Sequence, residues 1–257
     1  STDHDIMALV LEYERRRRWP VLLFEKVTGA DMPIIANVVA SRKALAWAPG
    51  VPEARLAQEY ARRIKDTIKP TVVARAPFRE RRLTGRDLDL RRLPIPTYFP
   101  GDAGRYLTAG MLVARDPETG VETEGYHRFQ LKGADRMGVS LHSRRRMSEY
   151  QRRAEARGEA LPCAVALGLH PLVSMGSLAY PPAEVGKFEV VGGHFGAPLD
   201  VAACPTIELT VPAAAEIVIE GEILPGVPEP EGPFGEFTGY FSRRSTEHVF
   251  QARAISM

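Results

Sequence analysis

Tyr106-Leu107-Thr108-Ala109-Gly110-Met111-Leu112-Val113-Ala114-Arg115, then Asp116-Pro117-Glu118-Thr119-Gly120, then Gly125-Tyr126-His127-Arg128-Phe129-Gln130-Leu131 spells a β-hairpin. Two apolar, aromatic-bearing runs flank a turn in which proline and glycine supply the special backbone angles. The same texture continues outward. Residues 137–141 alternate as a third strand, and a polar helix follows from Ser148 to about Arg157. Further strands are predicted at 164–167, 207–211, 216–223 and 249–255. Many strands, Pro/Gly turns and few helices between them predict a barrel rather than a doubly wound sheet.

Upstream the pattern is different. Residues 6–19 carry helical spacing up to a basic last turn, and Pro20 stops the helix. Residues 21–24 and 33–39 read as short buried strands around a turn at Thr28-Gly29-Ala30-Asp31, and 52–65 as a second helix. The loop Leu93-Pro94-Ile95-Pro96-Thr97-Tyr98-Phe99-Pro100-Gly101-Asp102 marks a boundary. The expected fold class is therefore α+β: an N-terminal α/β domain over 1–95 and a barrel domain over 96–257.

Composition limits the function classes. The 34 basic and 32 acidic groups leave a formal charge of +2, so no global field points to nucleic acid or membrane. No apolar stretch approaches the roughly 20 residues that span a bilayer. The first residues lack a signal-peptide pattern, and a cytoplasmic protein is expected. The basic runs at 15–18 and 144–146 read as solvated helix faces. Cys163 and Cys204, in apolar strand-like surroundings, read as buried free thiols.

Three stretches could carry chemistry. Pro230-Glu231-Gly232-Pro233-Phe234-Gly235-Glu236-Phe237-Thr238-Gly239-Tyr240 holds three glycines in eight residues and cannot be a regular helix. It is a shaped loop with two carboxylates five residues apart. Its aromatics favour burial, where neighbouring carboxylates push their pKa values apart and one can act as a proton donor. In Gly125-Tyr126-His127-Arg128-Phe129-Gln130, strand alternation sends Tyr126 and Arg128 to one side and His127 and Phe129 to the other. An inward arginine needs a carboxylate partner, or it holds a substrate carboxylate or a cofactor phosphate. His142, at a strand end beside Ser143 and three arginines, suits a phosphate or a metal-bridged phosphate.

Together these stretches resemble the UbiD family, which includes ferulic acid and 3-octaprenyl-4-hydroxybenzoate decarboxylases. Supporting matches are Leu93-Pro94-Ile95-Pro96, Leu107-Thr108-Ala109-Gly110, Asn37-Val38-Val39-Ala40-Ser41-Arg42 and Val211-Pro212-Ala213-Ala214-Ala215-Glu216-Ile217-Val218-Ile219-Glu220-Gly221. The resemblance covers about residues 20–250. It implies a split β-barrel that binds prenylated flavin mononucleotide, and reversible, non-oxidative loss of CO2 from an unsaturated or aromatic acid. The family's catalytic arginine and two glutamates fall on Arg128, Glu231 and Glu236, with Glu236 as proton donor. The cofactor site would be built from Thr108, Thr123, Gly125, Tyr126, His127, Arg128, Leu141, His142 and Lys187.

Two features depart from the family. Its phosphate-bridging divalent metal (Mn or Mg), accompanied by potassium, is held by Asn, His and Glu. Only His142 matches, because Thr123 and Lys187 stand at the other two positions, with Glu184 and Glu189 close enough for a shifted register. A hydroxyl and an ammonium are poor ligands for a hard cation. The sequence therefore suggests Lys187 replacing the metal and pairing directly with the flavin phosphate. The chain is also short of the family's C-terminal domain, so a homo-oligomer or a second subunit supplying it is expected. Two other classes compete: a non-catalytic flavin-binding or assembly subunit, and a flavin reductase. The latter is disfavoured because no G-x-G-x-x-G follows a strand.

Overall fold

The computed structural model describes residues 1–141 and 145–257. The N-terminal part holds α1 (Asp5–Arg15), β1 (Leu22–Phe24), β2 (Ile34–Ala36), α2 (Arg42–Trp47) and α3 (Leu56–Arg63). Helix α1 ends earlier than its spacing predicts. Glu12 draws in Arg15 and Arg16, and Arg17 turns left-handed at φ 55°. Strands β1 and β2 form an antiparallel ribbon, with Leu23 opposite Ile35. These are not the buried strands expected: the two residues are 61% and 56% exposed, because a two-stranded ribbon covers only one of its faces. Helix α2 was not foreseen, although Ser41 caps it by accepting from the Ala44 N–H at 3.0 Å.

There follow β3 (Thr71–Val72), β4 (Arg82–Thr84), β5 (Tyr106–Arg115), β6 (Glu122–Leu131), β7 (Arg136–Val139), α4 (Arg146–Ala156), β8 (Leu161–Leu167), α5 (Pro171–Ser177), α6 (Lys187–Phe195), β9 (Asp200–Ala203), β10 (Thr210–Pro212), β11 (Ile217–Ile223), β12 (Glu229–Glu231) and β13 (Ser245–Ser256). The hairpin is β5–β6, as read. The main sheet runs β11-β8-β5-β6-β7-β13, and β11 also pairs with β13, so the path closes into a ring. Strand β4 joins β13, and β3 runs parallel to β9 in a separate three-stranded sheet with β10.

The ring strands are buried on both sides, which explains the near-continuous apolar run of β5. Leu112 and Ala114 enter one core with Phe129, Met137, Ile219 and Phe250. Met111 and Val113 enter a second core with Phe188, Val191, Val201 and Val211. Helix α6 seals this second core and lies directly on the chain after α3, where Ile68 N–H donates to the Glu189 carbonyl at 2.9 Å. Among the described residues no helix is long and apolar enough to cross a membrane. Cys163 and Cys204 are buried free thiols, as expected.

Candidate active site

Strand β6 carries Arg128, and β12 with the loop after it carries both glutamates. Arg128 Nε and Nη2 each donate to a different oxygen of Glu231 at 2.9 Å, a fork-to-fork pair. Arg128 Nη1 donates to Glu236 Oε1. The side chains of Glu231 and Glu236 are 1% and 36% exposed, so one acid is sealed and the other faces open space. Burial alone would make Arg128 easier to deprotonate. Glu231 and then Glu236 outweigh it and hold the guanidinium more firmly charged than usual. The Phe234 ring lies 5.3 Å from Arg128 Cζ and adds a cation–π contact.

The acidic loop is held from several directions. Tyr106 Oη accepts from Gly232 N–H at 3.2 Å, and burial followed by the Glu231 charge raises the Tyr106 phenol well above its ordinary range. Phe234 and Ser242 exchange hydrogen bonds at 3.0 and 2.8 Å. Asp102 Oδ1 accepts from Gly235 N–H at 2.8 Å, while its Oδ2 accepts from Tyr98 and Phe99 N–H at 3.1 and 2.8 Å. Gly235 is required here: a Cβ at that position would come within 2.3 Å of the Phe99 ring.

Arg128 and Glu236 open onto a cavity of about 600 Å³. Thr108, Tyr126 and His127 also line it. Thr108 Oγ1 and Tyr98 Oη share a hydrogen bond of 2.7 Å, Tyr126 Oη and Ser174 Oγ one of 2.6 Å. His127 Nδ1 donates to the Ser140 carbonyl at 3.1 Å. Tyr126 packs against one core and Phe129 belongs to the other, as alternation predicts, but His127 lines the cavity beside Tyr126 and Arg128 instead of facing away from them. Thr123, Gly125 and Leu141 are buried and do not face the cavity. His142 lies outside the described residues.

Lys187 is also buried. Its Nζ donates to the carbonyls of Ser177 and Glu124 at 2.7 and 2.8 Å. The Glu124 side chain is buried, with neither oxygen hydrogen-bonded. Burial pushes the Glu124 carboxyl up, with Lys187 opposing, and pulls the Lys187 ammonium down, with Glu124 opposing. Of the two acids considered for a shifted register, Glu189 accepts from Gly186 N–H at 3.3 Å to cap α6, and Glu184 is exposed.

Sequence reasoning missed four contributors. Asp102 had a signal, since an acid in a Pro/Gly loop commonly binds nearby N–H groups. Glu124 had one too, as an ionisable residue in a strand buried on both sides. Tyr106 was read only as a strand residue. Arg145 belonged to a run assigned to a solvated face, and that assignment fails at two positions. Arg145 lines the cavity, and Arg146 donates to the Val185 carbonyl at 2.9 Å and to those of Pro181 and Pro182.

Residues 71–257 match the family model of the 3-octaprenyl-4-hydroxybenzoate carboxy-lyase Rift-related domain (UbiD), and residues 1–64 match that of the carboxy-lyase N-terminal domain. An uncharacterized protein from the cooM 5' region of Rhodospirillum rubrum is 34% identical over 259 aligned residues, covering 98% of this chain and 55% of that protein. HmfF of Pelotomaculum thermopropionicum, a UbiD-class enzyme solved as an evolved dimeric form in complex with prFMN, superposes with a TM-score of 0.93 at 36% identity, over 99% of this chain and 59% of that one. The closed form of vanillic acid decarboxylase (ShVdcCD) from Sedimentibacter hydroxybenzoicus gives 0.94 at 29%, over 99% and 56%. The chain spans about half the length of the curated relatives it matches.

Proposed function

The chain belongs to the UbiD family of carboxy-lyases, and on that premise we propose that it carries the prenylated-flavin site of a decarboxylase. The reaction is reversible, non-oxidative loss of CO2 from an α,β-unsaturated or (hetero)aromatic acid. One observation carries the reading: Arg128 is clamped between sealed Glu231 and cavity-facing Glu236.

The cavity wall suits a flavin. Aromatic Tyr98, Tyr126 and Phe234 offer flat apolar surface, Thr108 a hydroxyl and Arg145 a positive charge. Thr108, Tyr126, His127 and Arg128 would hold the ring system, with Thr123, Gly125 and Leu141 shaping the wall behind them. Prenylated flavin mononucleotide, when bound, supplies an electron sink for the carbon that loses CO2.

The protein's own residues do the rest. Arg128 commits three of its five N–H groups to the two glutamates and keeps one on each Nη for a substrate carboxylate. When the C–C bond to the carboxylate breaks, CO2 leaves and the electron pair stays on the substrate carbon. Glu236 delivers the proton that this carbon takes up, and regains one from the cavity. Glu231, bidentate and shut away from water, keeps the guanidinium oriented through the cycle. A second copy or a second subunit completes the site, a reading supported by Phe237 and Tyr240 standing 99% and 78% exposed on the acidic loop.

Reconstitution tests the proposal. The chain loaded with prenylated flavin should release CO2 from an aryl or acrylic acid, and Glu236→Gln should abolish that release while keeping the flavin. A flavin-loaded chain that turns over no such acid, alone or with a partner, would return the reading of a non-catalytic flavin-binding subunit.

A further inference from the structure

We propose that this chain seats the phosphate of its flavin without a divalent metal, with Lys187 as the fixed positive charge and Arg145 as the direct contact. The inference rests on the flavin reading above and concerns the same cavity. Lys187 Nζ occupies a bed of two carbonyl oxygens, Ser177 at 2.7 Å and Glu124 at 2.8 Å. Carbonyl oxygens are what a hard cation would use as ligands, and here an ammonium already takes them.

One aromatic ring stands beside both cations. Lys187 Nζ is 5.9 Å from the centroid of Tyr180, and Arg145 Cζ is 5.8 Å from it. Arg145 lines the cavity and, among the described residues, has no carboxylate partner, so its fork is available to an oxyanion. Lys187 is differently placed. It is buried, with two of its three N–H groups spent on carbonyls, so it acts through its charge and does not wrap the anion, which revises the direct pairing that the sequence suggested. Strand β6 links Glu124 to the flavin wall, since Glu124 lies four residues before Arg128.

FMN and riboflavin, which differ only in the phosphate, are the probes. The chain is purified from manganese-supplemented medium, its metal is measured by elemental mass spectrometry, and both affinities are read by flavin fluorescence. The expected result is no stoichiometric metal and an FMN affinity that EDTA does not change. FMN should bind more tightly than riboflavin, by about tenfold or more. In Arg145→Ala and in Lys187→Met that preference should collapse, with riboflavin affinity kept. The double change Lys187→Met with Glu124→Gln, which strands no buried acid, should behave like Lys187→Met. A metal bound one to one, loss of FMN in EDTA, or an FMN preference that survives both single changes would overturn the inference and leave the flavin reading standing. Failure of both FMN and riboflavin to bind would overturn the flavin reading and the inference with it.

Discussion

The Asp102 carboxylate accepts the Gly235 N–H at 2.8 Å, and its second oxygen takes the N–H groups of Tyr98 and Phe99. One side chain thus ties the proline-rich loop to the acidic loop one residue before Glu236. Asp102→Ala leaves three backbone donors without their acceptor, and unmet donors of this kind cost about 1–3 kcal/mol. Urea denaturation should show a loss in that range, with activity falling as Glu236 loses its support. A loss below about 0.5 kcal/mol, within the range of an ordinary surface change, would show that other contacts hold the loop.

The two glutamates should separate stability from turnover. Glu231 is sealed and bidentate, so Glu231→Gln leaves a buried guanidinium short of charge; breaking such a pair costs about 3–5 kcal/mol. Glu236 is partly open, and Glu236→Gln should change stability by under about 1 kcal/mol. Its effect falls on the chemical step, with kcat lower by about 10²–10⁴. Denaturation and single-turnover CO2 release on both variants check the pattern, and equal stability losses would contradict it.

Much of this site was legible before any coordinates. The hairpin was readable because two long apolar runs bracket a Pro/Gly turn, and both glutamates were readable because no helix tolerates three glycines among aromatics. Short pieces were not. Strands β3, β4 and β12 span two or three residues, too few for a period to register; β4 and β12 exist because the long β13 offers them pairing partners, and β3 because it lies beside β9. Helix α6 hid behind its own glycines. Gly192 and Gly193 argue against a helix on propensity, yet a side chain at either would collide with the backbone at Ile68 or Asp66. Lys187 and Glu124 were unreadable as a pair because 63 residues separate them.

That packing makes Gly193 a sharp test of α6. A Cβ there would lie 2.0 Å from the Asp66 carbonyl oxygen, an obstacle that no side-chain rotation relieves. Gly193→Ala should therefore destabilise the chain by about 3 kcal/mol, the upper end of overpacking costs. Gly133→Ala, where nothing lies within 4 Å, is the matched control and should stay near wild type. Urea midpoints for the two variants decide it, and similar midpoints would mean that α6 does not press on the 66–68 segment.

His194 predicts how stability follows pH. Its ring is fully buried with neither nitrogen hydrogen-bonded, 5.1 Å from the Tyr60 ring. Burial first, then the Arg63 guanidinium, lowers its pKa from 6.5 to about 4, and Glu59 opposes only weakly. The unfolded chain therefore takes up this proton near pH 6.5 and the folded chain only near pH 4. Between those values the unfolded state binds more protons, so stability falls as the pH falls through the window and is kept in full above it. The contribution reaches at most about 3 kcal/mol by pH 4. His194→Leu removes the titration, so urea-derived stability between pH 7 and 4 should fall less steeply than in the wild type. Parallel curves would mean that the ring gains a proton while still folded, and its burial as a neutral ring would have to be abandoned.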